Sequence, residues 1–408
     1  TTRQKIFALT MPPPVPTYCS TPYWSAALHN LDRTPVIIAA AATGTAAVLV
    51  FALLPVLSGV IADQFQLDDV QTGLVATSYF SIYALIALSS SAWIRRFDWV
   101  RTARAGYAIM LAGLLVSLFA PSFAVASSGL AVVGAGAGLL FPISLTLVSD
   151  MTHTDRAYAI KIAVEQLVPA GLLLLLSSAL FPDSGLATTL LALIAVVFLC
   201  FVMSAQLPPA GNIEKHRSSE SHGKLSLGIA SLVALAIGFA GFAGLWAFLE
   251  RIAVDNAFEP GFTNTWLAVG LITSGLGPIA AAVLEDRLGR VFPMGLAIII
   301  VMGTLVLLAT SNSTGTYALV LTVLPLSYYF AITYMFGVVA DADSNGKIAG
   351  LISFALAVGA GGGPAIFGMV RADDGPVILV MSLLMLVGTG MMIAIQVFLQ
   401  KHKTGVNT

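Results

Sequence analysis

Residues 185–206 read GLATTLLALIAVVFLCFVMSAQ, an apolar stretch without a single charged side chain. A helix of this length crosses the hydrocarbon core of a bilayer, which takes about 20 residues. The residues that follow, 207–225, read LPPAGNIEKHRSSESHGKL and form the longest polar connection between apolar stretches. The rest of the chain repeats this alternation of apolar span and polar connection.

Composition excludes several classes of protein. Of the 408 residues, 58% are hydrophobic and 10% are charged, against roughly 45–50% and 25% in soluble domains. A net charge of -1 and scattered basic residues give no reason to expect a nucleic-acid partner. Cys19 and Cys200 offer neither a disulfide framework nor metal-ligand spacing. We expect a membrane protein without metal or cofactor.

Apolar runs without barrel-like alternation predict an all-α membrane protein, because lipid cannot satisfy exposed backbone groups. Twelve spans are predicted, at 36–61, 70–94, 102–120, 123–148, 157–181, 185–206, 226–250, 263–284, 291–310, 315–340, 347–370 and 376–399. They divide the chain into an N-terminal tail (1–35), a six-helix bundle (36–206), a linker (207–225), a second six-helix bundle (226–399) and a C-terminal tail (400–408).

Basic residues predict the orientation, since short cytoplasmic loops retain Lys and Arg. With the N-terminus inside, only Arg251 and Arg371 of the 19 basic residues fall on the outer side. We therefore expect both termini, the linker and both tails in the cytoplasm, and a multi-pass protein of the plasma (inner) membrane.

An internal repeat is indicated by charged positions that recur 191 residues apart. Arg96 corresponds to Arg287 and Asp150 to Asp341, with Arg156 matching Lys347 and Asp183 matching Asp374 in the same register. The constant offset predicts two copies of a six-helix unit, a design known among secondary transporters.

Asp286-Arg287-Leu288-Gly289-Arg290 lies in a predicted cytoplasmic loop. It resembles the D-R-x-G-R core of the loop signature of the major facilitator superfamily, and residues 54–73 are similar to the first outer loop of that family. The resemblance implies twelve helices and alternating access, with a loop that latches one conformation. The first-half copy differs, with Arg95 and Asp98 where the family has Asp and Gly. The candidate latch residues are Arg95, Arg96, Asp98, Asp150, Asp286, Arg287, Gly289, Arg290 and Asp341.

Glu165 is the clearest functional candidate, because a charged residue at the centre of a membrane helix is costly. Lys161 and Tyr158 lie four and seven residues before it, on the same helical face. We hypothesise that Glu165 takes up and releases a proton, with Lys161 as charge partner and Tyr158 as hydrogen-bond neighbour. A structural Lys–Glu pair is the alternative.

Helices one, four, seven and ten line the centre of proteins in this family, so the resemblance suggests substrate contacts on them. The candidates together form an aromatic, mildly polar lining that suits a small organic solute. They are Thr45, Phe141, Phe242, Trp246, Tyr328, Tyr329 and Thr333.

Charges at the predicted outer helix ends are candidates for gates. Solvated surface pairs are the alternative interpretation. These charges are Glu250, Arg251, Asp255, Arg371, Asp373 and Asp374.

We therefore predict a non-enzymatic, monomeric secondary transporter that carries a small organic solute, coupled to protons. A multidrug/proton antiporter and an uncoupled facilitator remain alternatives, although helix four lacks the family's antiporter arginine ahead of Gly134. A channel or a non-transporting receptor is the rival class. Every histidine lies in a predicted tail or inner loop, which disfavours an intramembrane enzyme.

Overall fold

The computed structural model describes residues 31, 33–151, 154–176, 185–211, 225–284, 287–342, 348 and 351–405. In these residues the regular structure is helical throughout. The helices of the first half are α1a (Thr34–Ala52), α1b (Leu54–Phe65), α2 (Asp69–Trp93), α3 (Trp99–Leu118), α4 (Phe123–Asp150), α5 (Thr154–Leu176) and α6 (Leu186–Met203). Those of the second half are α7 (Leu225–Asp255), α8 (Pro260–Leu284), α9 (Val291–Thr310), α10 (Thr314–Ala342), α11 (Ile352–Ala372) and α12 (Val377–Gly405).

The first predicted span is interrupted, and a proline explains the break. Pro55 has no backbone N–H to continue the hydrogen bonding of the preceding turn. Leu53 accordingly leaves helical geometry, with φ -91° and ψ 5°, between α1a and α1b. The remaining spans are single helices, and the predicted linker 207–225 lies largely outside the described residues.

Ten of the described helices are long and apolar enough to cross a membrane. The two other helices of full length, α3 and α5, carry charges that lower their hydropathy. Arg101 and Arg104 lie in the first turns of α3, and Lys161 and Glu165 lie within α5. The ten helices include α1a, and α1a and α1b together count as one broken span. With α3 and α5, the arrangement is that of twelve transmembrane helices.

Helix packing repeats between the two halves. The main pairs of the first half are α1a with α4, α5 and α6, α2 with α4, and α3 with α4 and α6. Each has a counterpart six helices later, namely α7 with α10, α11 and α12, α8 with α10, and α9 with α10 and α12. The structure therefore contains two copies of one six-helix unit.

Three helix pairs make most of the contacts between the halves: α2 with α11, α5 with α8, and α1b with α7. Small residues permit the closest approach, as expected where helices pack in lipid. A Cβ on Gly73 of α2 would overlap the carbonyl of Pro364 in α11, and Thr77 donates to the Gly361 carbonyl at 2.7 Å. The interface between halves is thus tight where α2 meets α11.

Candidate transport site

A buried ion pair within α5 faces α4 and α1a. Lys161 Nζ donates to Glu165 Oε1 one turn along α5, and the two residues are 2% and 5% exposed. The ammonium nitrogen also lies 4.9 Å from the centre of the Phe141 ring on α4, within the range of a cation–π contact. The structure therefore brings together three residues that the sequence assigned to two separate roles.

The Glu165 carboxylate also meets α1a. A Cβ on Gly44 would overlap Glu165 Oε1 and would approach Ser144 Oγ, which itself donates to the Ala40 carbonyl at 2.7 Å. Only glycine leaves room for the carboxylate here. Sequence reasoning missed Gly44 and Ser144, since nothing marks them among the many small residues of these helices.

Three tyrosines lie within electrostatic range of this carboxylate, and one of them is the buried Tyr83 of α2. Tyr158 is on α5, as the helical spacing predicts, and Tyr329 comes from α10 in the other half. Both side chains are partly buried. The pair is therefore approached from both halves of the molecule.

Gln166, the residue after Glu165, makes a direct contact with the second half. Ser274 Oγ on α8 lies 2.9 Å from Gln166 Oε1, and the absent side chain of Gly275 leaves space for Gln166. Sequence analysis did not single out Gln166, because one amide in an apolar helix carries no spacing signal. This contact places the ion pair one residue from the interface between halves.

Four of the predicted substrate contacts form one aromatic cluster. Phe242 stacks on Tyr328 with ring centres 4.6 Å apart and on Trp246 at 6.1 Å, and Tyr329 meets its edge at 5.6 Å. Phe242, Trp246 and Tyr328 are no more than 2% exposed. In this conformation those three rings pack against protein, whereas Tyr329 is partly exposed.

The polar groups of this cluster point in different directions. Trp246 Nε1 donates to the Phe51 carbonyl of the first half at 3.2 Å. The Tyr328 hydroxyl is buried and has no hydrogen-bond partner among the described residues, and a Cβ on Gly238 would lie 3.4 Å from it. The hydroxyl therefore faces the helix α7 to which Gly238 belongs.

The two predicted threonine contacts differ in their surroundings. Thr333 Oγ1 donates to the Tyr329 carbonyl of its own helix at 2.9 Å. Thr45 is fully buried, and no hydrogen-bond partner for its hydroxyl is found in the part of the chain that the structure describes. Of the two hydroxyl groups, that of Thr333 is therefore satisfied and that of Thr45 is unsatisfied within the described residues.

At one end of the bundle, called here the Arg371 end, ion pairs cross between the halves. Arg251 of α7 pairs with Asp63 of α1b at 2.8 Å and donates to the Gly59 carbonyl. Arg371 of α11 pairs with Asp69 of α2 at 3.1 Å.

Arg371 also contacts Asp255 on its own half, at 2.9 Å. Glu250 lies 3.5 Å from Arg251, and a Cβ on Gly59 would approach its carboxylate. Asp373 and Asp374 are exposed, the latter with a φ of 52° after α11. Sequence analysis proposed the second-half gate charges but missed their partners Asp63 and Asp69.

At the opposite end, called here the Arg95 end, the first half contains a bidentate ion pair. Arg95 contacts the two oxygens of buried Asp150 at 2.5 and 2.9 Å and lies 5.9 Å from the Trp99 ring centre. Asp98 instead accepts from the Arg101 amide at 2.8 Å, which begins α3. Arg96 is exposed.

The second half contains a related pair built from a different arginine. Arg290 contacts Asp341 at 3.0 Å and the Gly337 carbonyl at 2.8 Å. Gly289 precedes it with a φ of 63°, a conformation that glycine adopts without strain. Arg287 is exposed, and Asp286 lies outside the described residues.

The two arginines are not equivalent in the repeat. Asp150 and Asp341 correspond at the 191-residue offset, whereas Arg290 corresponds to Trp99 and Arg95 to position 286. The aspartates of the two ion pairs therefore occupy equivalent positions in the repeat, whereas the arginines come from different positions. Each ion pair joins two residues of the same half.

Among the residues that the structure describes, no group of three or more His, Cys, Asp or Glu is placed to hold a metal ion. The sequence of residues 37–364 matches the family model of the Major Facilitator Superfamily. No curated protein matches the chain. The chain belongs to the Major Facilitator Superfamily, and it is therefore an integral multi-pass membrane transporter.

Proposed function

We propose that this protein is a secondary active transporter that moves a small organic solute by alternating access, coupled to protons through Glu165. The observation that carries the proposal is the buried Lys161–Glu165 pair next to the interface between halves. A buried carboxylate in a membrane helix is costly and marks a functional site by default.

Its surroundings connect the pair to conformational change. Glu165 meets α1a at Gly44, Tyr329 of the second half lies within electrostatic range of it, and Gln166 contacts α8. A movement of one half against the other would change the surroundings that Tyr329 and α8 supply, because both belong to the second half, whereas Gly44 and Glu165 lie in the same half. Loss or gain of a proton at Glu165 would therefore favour one arrangement of the halves over the other.

The ion pairs support the assignment of the conformation. The Arg371 end is joined across the halves by Arg251–Asp63 and Arg371–Asp69, whereas Arg95–Asp150 and Arg290–Asp341 each stay within one half. We infer a state closed at the Arg371 end. The excess of basic residues at the Arg95 end supports a cytoplasmic location for that end and for both termini. We infer that the protein lies in the plasma (inner) membrane.

The partly exposed residues near Glu165 favour a small organic solute over a bare ion. Phe141, Tyr158, Tyr329 and Gln166 offer ring faces and polar groups. They are supplied by both halves, as a substrate site at the middle of a monomeric carrier requires. A multidrug/proton antiporter would use the same carboxylate, and an uncoupled facilitator would leave Glu165 as a structural partner of Lys161.

The first experiment finds the solute class. Purified protein is screened for thermal stabilisation by organic acids, aromatic compounds, sugars, amino acids and cationic drugs at two pH values, because ligands that bind the native state stabilise it. Uptake and counterflow of the best ligand are then measured in proteoliposomes. Saturation and exchange are expected of a carrier, and unsaturable flux would indicate a channel.

The second experiment tests coupling. E165Q should abolish transport driven by a pH gradient while retaining exchange of solute at equal pH on both sides. E259Q is the matched control, because Glu259 is an exposed carboxylate before α8. Full pH-driven transport by E165Q would refute the proton role, and loss of exchange in E259Q would show that the assay reports general damage.

A further inference from the structure

A lateral cleft opens between α3 and α6 near the Arg95 end, away from the ion pair of α5. Its volume is about 200 Å³. Apolar side chains line most of it, together with one charged group, Arg104, and the hydroxyl-bearing Ser204. None of these residues has a role in the proposed transport cycle.

The cleft faces the bilayer. Phe198, Val202 and Met203 on the adjoining surface of α6 are 56%, 54% and 43% exposed. Large apolar side chains in such positions of a membrane protein contact lipid tails. Arg104 lies five residues after Trp99, where α3 begins, so its long side chain can reach the headgroup level.

Charge at this end suits an anion. Arg96, Arg101 and Arg104 are exposed within nine residues of sequence, whereas Arg95 pairs with Asp150 and Asp98 caps the N-terminus of α3. Basic residues at the membrane surface attract anionic lipids by about 1 kcal/mol each. The chemistry of the cleft is therefore cationic at its mouth and apolar in its walls.

We propose that the cleft between α3 and α6 binds an anionic phospholipid, with the phosphate at Arg104 and an acyl chain against Phe201 and Val202. A free anion would gain nothing from the apolar walls, and in a zwitterionic lipid such as phosphatidylcholine the choline ammonium offsets the phosphate charge that attracts Arg104.

The test measures bound lipid on the full chain. Protein is reconstituted in nanodiscs containing phosphatidylglycerol and phosphatidylcholine, extracted mildly, and analysed by native mass spectrometry for retained lipid. R104Q should lower the ratio of retained phosphatidylglycerol to phosphatidylcholine about fivefold, the equivalent of about 1 kcal/mol. R101Q is the matched control for general surface charge, because Arg101 is an exposed arginine of the same helix that does not line the cleft, and it should lower this ratio less than R104Q does.

A second pair of variants tests the walls. A205W places a large ring at the cleft and should reduce retained phosphatidylglycerol, whereas Q206W adds the same ring at an exposed position beside the cleft. Equal lipid retention in R104Q and R101Q, or in A205W and Q206W, would overturn the proposal. Thermal stabilisation by glycerol 3-phosphate equal to that by the lipid would likewise overturn it.

Discussion

Replacing Lys161 with methionine tests whether the buried ion pair acts as one unit. K161M removes the ammonium group but keeps a flexible apolar side chain beside Phe141. Glu165, 5% exposed, is then left without this cation. Removing one member of a buried pair costs about 3–5 kcal/mol, and loss of the cation–π contact adds about 0.5–1 kcal/mol. We therefore expect K161M to lower the free energy of unfolding by about 3.5–6 kcal/mol.

The double variant K161M/E165L completes a thermodynamic cycle. It leaves neither charge buried, and replacing both members of a pair by apolar residues is often nearly neutral. We therefore expect a coupling energy of at least about 2 kcal/mol between the two positions. The assay is denaturation by SDS in mixed micelles at neutral pH, followed by tryptophan fluorescence and repeated for both single variants.

Additive effects would refute this reasoning. Independent sites add within about 0.3–0.5 kcal/mol, so a coupling energy in that range would mean that Lys161 and Glu165 do not depend on each other. E259L serves as the control, since it removes an exposed carboxylate and should change stability by less than about 0.5 kcal/mol.

Two further predictions concern stability and use thermal unfolding as the readout. R95Q removes the bidentate partner of a buried aspartate and should cost about 1–3 kcal/mol, whereas R96Q, at an exposed position, should stay within about 0.5 kcal/mol. Equal melting temperatures of the two variants would contradict the assigned pair. G363A adds a Cβ that overlaps the backbone carbonyl of α7 and should lower the melting temperature by several degrees, whereas G362A, which has open space, should not. A G363A protein as stable as G362A would show that α7 and α11 can separate at no cost.

Much of the fold is predictable because the membrane restricts the choice of structure. Apolar length marks each span, and the 191-residue repeat of charged positions predicts two six-helix units that the helix packing shows. The break at Leu53 was not predicted, although Pro55 gives a signal for it. Spacing along one helix also predicted the contact between Lys161 and Glu165, since residues four apart share a face.

Contacts between helices could not be predicted in this way. The closeness of Gly44 to Glu165, the Gln166–Ser274 contact and the partners of Arg251 and Arg371 involve residues far apart in sequence. One glycine or one aspartate among many carries no information about which helix it will face.

By itself, then, the sequence determined an all-helical membrane protein of two repeated halves, because lipid enforces helices and their length can be counted residue by residue. Tertiary structure alone decided which side chains meet. It buries Phe242, Trp246 and Tyr328 against one another and places Phe141 over Lys161. The physical reason is that lipid-facing and protein-facing positions of a membrane helix are equally apolar, so that only packing between helices distinguishes them.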